Sequence, residues 1–340
     1  MPDKFRIAIV GAGMITAQSH LPAVLASSRV ELVGIVDADR ARAEALVRNY
    51  GLTVKVGTDV GDLLGEIDGA IVATPNSSHR DLAIRCLDAG VHVLVEKPLA
   101  LTCADGEQIL AAARKAGRVV AVGYVTRFYP SAQLLEGLLR ERYFGRVHSF
   151  RHQFGTSGGW APVSGYILDR SASGGGVLVV TGTHFLGRML HLWGYPQQVS
   201  YSDDSRGGPE ANCRAEFVFH REGEELLGSV RYSKSVKIPG GLVLETDAGL
   251  VQQSEGIIAP VVLRPRQAPH LEHLIQVRGA AKTAQSPFLL QLEDFIRACR
   301  EDGKPAADGE AGVQSLRLVE QLYAARRPMA DQWYPLAEVG

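Results

Sequence analysis

Residues 7–25 read IAIVGAGMITAQSHLPAVL, and their reading decides the fold of the N-terminal part. Four apolar residues, Ile7 to Val10, run into Gly11 and Gly13, and a helical pattern follows. An unbroken apolar run has the character of a parallel strand buried on both faces. Glycines at its exit permit a tight turn and a close backbone approach. The following helix offers free N–H groups and the positive end of its dipole. Strand, glycine turn and helix in that order suit a pyrophosphate. Met14 and Ile15 belong to the same turn. Thr16 stands where a third glycine is usual, which loosens the pattern, and a purely structural turn is the competing reading.

Further apolar runs, VELVGIV, GAIVAT, VHVLV and RVVAVG, follow up to residue 123, with amphipathic helical segments between them. That alternation predicts a doubly wound parallel α/β sheet, a Rossmann dinucleotide-binding domain over residues 1–123. After residue 124 the texture changes. CRAEFVFHREGEELLGSVRYS and GGLVLETDAGLVQQS alternate apolar and polar residues around tight turns, the mark of antiparallel sheet with one solvated face. Residues 124–340 form a second, α+β domain in this reading, and its last two helical segments pack back on the first.

A chain of 340 residues exceeds the usual size of one core, in keeping with two domains. Its net charge of −1 leaves no electrostatic footprint for nucleic acid or an anionic membrane. No apolar run is long enough to span a bilayer, and the N-terminus lacks a signal-peptide pattern, so a cytoplasmic protein is expected. Cys86, Cys103, Cys213 and Cys299 are scattered without metal-site spacing, and no metal is expected.

Three further stretches carry candidate chemistry. VELVGIVDADR ends a strand on Asp37, whose carboxylate suits adenosine ribose hydroxyls and repels a 2′-phosphate, favouring NAD. Arg40 nearby keeps NADP open, and Asp39 is the better candidate for capping the next helix. ATPNSSH places Thr74, Pro75, Asn76 and His79 at the carboxyl edge of the sheet, beside the nicotinamide end; a loop with a capping serine explains them equally well. VHVLVEKPLA, residues 91–100, ends a strand on Glu96 and Lys97, with Pro98 disfavouring helix at the lysine.

Together with SGGGVLVVTGTHFLG and the C-terminal DFIRACREDGKPAADGEAGVQSLRLVEQLYAARR, these pieces resemble the Gfo/Idh/MocA oxidoreductases, typified by glucose–fructose oxidoreductase and inositol dehydrogenase. The resemblance covers nearly the whole chain. It implies a Rossmann domain and a second domain with a large, mostly antiparallel open sheet, through which a homo-oligomer, dimer or tetramer, assembles. It implies NAD(P)-dependent interconversion of an alcohol and a ketone on a sugar, cyclitol or sugar nucleotide. Lys97 matches the lysine that polarises the reacting oxygen, and Glu96 orients it or the nicotinamide ribose. His184 matches the histidine that relays the proton. Tyr124, Arg127 and Trp160 fall on the substrate side, with an inter-domain ion pair for Arg127 and loop packing for Trp160 as the plainer readings.

The sequence departs from the family at Val180, four residues before His184, where an aspartate is usual. Valine neither accepts a proton nor binds a hydroxyl. Tyr166 is the candidate substitute and Asp169 the next, although both have structural readings. The alternatives are reduction of an imine or other non-sugar substrate, and a cofactor-binding regulator without turnover.

Overall fold

The computed structural model describes residues 4–158, 165–221, 223–277, 285–301 and 303–329. Strands β1 (Phe5–Val10), β2 (Val30–Val36), β3 (Lys55–Gly57), β4 (Gly69–Val72), β5 (His92–Val95) and β6 (Val120–Val122) form a parallel sheet of order β3-β2-β1-β4-β5-β6. This is the Rossmann order, in which ligands bind beyond the carboxyl ends of the strands. β1 shows why its sequence is apolar throughout. Ile7 and Ile9 pack with Leu21, Val24 and Phe295 on one face, and Ala8 and Val10 with Ala83, Leu87 and Ile109 on the other. β3 is three residues long and partly exposed, too short to give a sequence signal.

The second sheet has nine strands. They are β7 (Val147–Gly155), β8 (Gln198–Asp203), β9 (Asn212–Arg221), β10 (Glu224–Ser233), β11 (Ile238–Thr246), β12 (Gly249–Ser254), β13 (Val261–Pro265), β14 (His273–Ile275) and β15 (Arg326–Pro328). Their order is β14-β13-β12-β11-β7-β10-β9-β8-β15. Pairing is antiparallel except between β7 and β10 and between β8 and β15. The helix Thr183–Trp193 covers the inner face, with Trp193 stacked on Phe150 at 4.3 Å between ring centroids.

Two helices late in the chain return to the first sheet. Pro287–Arg300 inserts Leu292, Phe295 and Ile296 beside Ile7 and Ile9. Gly309–Ala324 belongs to both cores: Val313 and Leu316 pack in the first, and Leu318, Val319 and Leu322 in the second. Among the described residues, no helix is long and apolar enough to cross a membrane.

Candidate active site

A cleft of about 1340 Å³ runs along the carboxyl edge of the parallel sheet and is closed on its far side by the second sheet. Pockets for single small ligands span roughly 300–1,000 Å³. This one has room for a dinucleotide and a second molecule.

The glycine turn forms one end. Gly11 has φ +103°, and a side chain there would collide with the Ala73 carbonyl. A Cβ at Gly13 would meet nothing within 4 Å, so the residue leaves open cleft at the helix start. Thr16 tightens the turn that its sequence seemed to loosen: its buried hydroxyl donates to Gly11 O at 2.6 Å. Asp37 joins the turn to β2, accepting from Ala12 N at 2.7 Å and Asp39 N at 2.9 Å. Asp39 is the helix cap, accepting from Ala41 N. Met14 and Ile15 line the cleft and are 52% and 38% exposed. Large apolar side chains so placed fit a bound ligand that covers them. Arg40 is turned along its helix to Glu44 at 2.8 Å, outside the cleft, whereas Arg42, 3.6 Å from Asp37, lines the cleft wall. The open glycine turn, the acidic strand end and the cleft volume fit a nicotinamide dinucleotide.

The middle wall is the loop after β4. Thr74, Pro75 and Asn76 line it, and Asn76 Nδ2 reaches across to Ser173 O at 2.8 Å. His79 does not reach the cleft. It is buried with its ring nitrogens 2.9 Å from the carbonyls of Pro98 and Thr74, bracing one loop against the next.

Glu96 and Lys97 stand where the two sheets meet. Glu96 Oε1 lies 2.8 Å from His20 Nε2, and its other oxygen accepts from Lys97 N at 3.1 Å. Burial would raise the Glu96 carboxyl, but the His20 contact and the neighbouring Lys97 outweigh it and hold it low. The Lys97–Pro98 peptide is cis. Lys97 Nζ donates to the main-chain carbonyl of Val180 at 2.7 Å. Val180 lies in a π-helical turn, Leu178–Gly182, an irregularity frequent at functional sites. Thus the residue that lacks a carboxylate still engages the lysine, through its backbone. Burial pushes Lys97 down to about 8, helped by the charge of Lys234 and opposed by Glu96.

His184 follows one turn later and lines the same wall. Its Nδ1 is buried and has no partner among the described residues. Burial and the Lys97 charge, against Glu96, push it down to about 3. Tyr166 also lines the cleft, and burial with the nearby Glu96 pushes its phenol up. Asp169 does not line it: the side chain caps the helix Arg170–Ser173 by accepting from Ser171 N at 2.8 Å. Tyr124 is buried in the core against Gly187. Arg127 donates to the carbonyls of Ala306 at 2.6 Å and Gly187 at 3.0 Å, a brace between elements instead of a cleft group. Trp160 lies outside the described residues.

Sequence reasoning missed four polar residues of the second sheet's side: His152, Arg188, Lys234 and Glu255. Arg188 had a signal, since it follows His184 by one helical turn. It also missed Glu210, buried under the glycine run, whose carboxylate accepts from Gly176 N and Leu178 N at 2.9 Å and so anchors the start of the segment carrying Val180 and His184.

Fold and cleft together define a two-sheet, dinucleotide-binding oxidoreductase. Residues 5–124 match the family model described as "Oxidoreductase family, NAD-binding Rossmann fold". The chain is 28% identical to the D-glucoside 3-dehydrogenase of Escherichia coli (strain K12), over 94% of its own length and 95% of that protein's. It is 30% identical to the 1,5-anhydro-D-fructose reductase of Ensifer adhaerens, over 92% and 93% of the two chains. The structure of the aldose-aldose oxidoreductase from Caulobacter crescentus complexed with glycerol matches with a TM-score of 0.82 at 24% identity, covering 95% of this chain and 97% of that one. The chain belongs to the Gfo/Idh/MocA oxidoreductase family, and its cofactor is a nicotinamide dinucleotide.

Proposed function

We propose that this enzyme interconverts a secondary alcohol and a ketone on a sugar or sugar nucleotide, with NAD preferred over NADP. The observation that carries the reading is Lys97: a lysine at the strand exit, facing the cleft, pushed down to about 8 and held by a neutral carbonyl. A general acid–base group works best when its pKa lies near the working pH. When bound, the dinucleotide gives or takes the hydride at the nicotinamide ring. Lys97 Nζ hydrogen-bonds the reacting oxygen, takes its proton in oxidation and returns it in reduction. An ammonium there also offsets negative charge developing on that oxygen.

His184 changes role relative to the family pattern. A histidine pushed down to about 3 is a poor resting place for a proton near neutrality. In this reading His184 stays neutral and orients the substrate hydroxyl through its free Nδ1, while Lys97 holds the proton. Asp37 favours NAD because its fixed carboxylate would face a 2′-phosphate with like charge. Self-assembly into a dimer or tetramer through the outer face of the nine-stranded sheet completes the proposal, and light scattering tests it.

The experiment is NADH absorbance across a panel of sugars and sugar nucleotides, with Lys97→Ala alongside. A loss of about 10²–10⁴ in kcat is expected, the usual weight of a positioned acid–base group. Undiminished turnover in that variant removes the mechanism.

A further inference from the structure

The substrate end of the cleft holds three cations, Lys97, Arg188 and Lys234, and two carboxylates, Glu96 and Glu255. Both carboxylates are engaged, Glu96 by His20 at 2.8 Å and Glu255 by His152 at 2.7 Å. Arg188 donates to a neutral group, Gln253 Oε1, at 3.1 Å. The Lys234 side chain is half-buried and makes no hydrogen bond or ion pair among the described residues. Its backbone is fixed nonetheless. Lys234 N donates to Ala211 O at 2.8 Å, and Lys234 O accepts from Gly158 N at 2.9 Å. The adjoining segment 159–164, GWAPVS, contains no carboxylate. Burial pushes the Lys234 ammonium down, with no opposing acidic group among the described residues. A half-buried ammonium without a counter-charge is costly, and an anion brought by a ligand removes that cost. The pyrophosphate of the dinucleotide belongs at the glycine turn, on the other sheet, so the missing anion is not the cofactor's.

We infer that the substrate is an anionic sugar, carrying a carboxylate or a phosphate that pairs with Lys234. This rests on the alcohol–ketone reading above and narrows it. Two relatives matched nearly end to end are named for neutral sugars and a third, from Streptomyces antibioticus, for a dTDP-linked sugar, so a neutral sugar is the rival outcome.

The test is ligand binding to the NADH-loaded protein, read by nicotinamide fluorescence at fixed ionic strength. The ligands are methyl glucoside, the matching glucuronide and glucose 6-phosphate, which separate carboxylate from phosphate. At least one anion is expected to bind about 10- to 100-fold more tightly than the neutral sugar, the weight of a charge-assisted hydrogen bond. That ratio falls to near one in Lys234→Met and persists in Lys237→Met, which removes an exposed charge three residues away. Equal or tighter binding of the neutral sugar overturns the inference, as does a ratio that survives Lys234→Met. So does a Lys234→Met protein whose main defect is in NADH binding, which would assign the lysine to the dinucleotide. Failure of the sugar reading looks different: no sugar binds at all. That outcome overturns the inference together with the reading it rests on, whereas equal binding of neutral and anionic sugars overturns the inference alone.

Discussion

Replacing Val180 with aspartate restores the charge that the family pattern puts beside the lysine, and the structure sets the size of the effect. Lys97 Nζ lies 2.7 Å from Val180 O and both residues line the same cleft, so the effect is worked for a carboxylate about 5 Å from the ammonium. At an effective dielectric of about 20, two unit charges at that distance attract by about 3 kcal/mol, or about 2 pK units. Lys97 should therefore move from about 8 toward the ordinary lysine range. In the oxidative direction the rate rises as Lys97 loses its proton, so the alkaline rise of kcat/KM should shift upward by about 1–2 pH units in Val180→Asp. The assay is the pH dependence of hydride transfer followed by NADH absorbance. Amine acylation of Lys97 against pH, read by mass spectrometry, gives the same answer without a substrate. A limb that stays within about half a unit of its original position refutes the claim that Lys97 is low because its burial is met by too little negative charge.

Lys97→Met should stabilise the protein at pH 7 by about 3 kcal/mol, because a protonated buried lysine opposes folding. The unfolded lysine, near ~10.4, binds a proton more tightly than the folded one at about 8, so wild-type stability rises with pH across that window. The gain from Lys97→Met is accordingly full below about pH 8 and vanishes above about pH 10 in urea melts. Gly176→Ala should cost about 3 kcal/mol or more, since the added methyl collides with the Glu210 backbone under the glycine run; thermal unfolding measures it. Asp37→Ala frees Ala12 N and should raise the NADH Kd about tenfold while narrowing the NAD-over-NADP preference, as read by fluorescence titration.

The fold was legible where periodicity and glycine agree. The apolar runs before Gly11, Asp37, Thr74 and Glu96 each become a strand of one sheet, and their exits meet along one cleft edge. Local sequence is less informative where neighbours on a helix or turn face different ways. Arg40 and Arg42 are two residues apart, which puts them on nearly opposite sides of their helix, and only Arg42 reaches the cleft. Asp169 carried the signature of its structural role, an aspartate two residues before a serine whose N–H it accepts from. Tyr124 and Arg127 lie just past a three-residue strand, where the chain turns into the core toward Gly187. Lys234 and Glu255 are far from Lys97 in sequence, and only the nine-stranded sheet brings them to the same cavity. The partner of Lys97 could not be read at all, because it is a main-chain carbonyl and every residue has one.

The helix Gly309–Ala324 acts mechanically as a strut. Its first half is rooted in one core and its second half in the other, and β15 then ties its end to the edge of the nine-stranded sheet. A continuous helix resists bending, so the sheets cannot rock far apart without pulling one end of it out of its core. The helix thereby couples the separation of the sheets to the gap spanned by Lys97 and Val180. For the same reason melting of either layer strips packing from the other, and calorimetry should find the two transitions coupled.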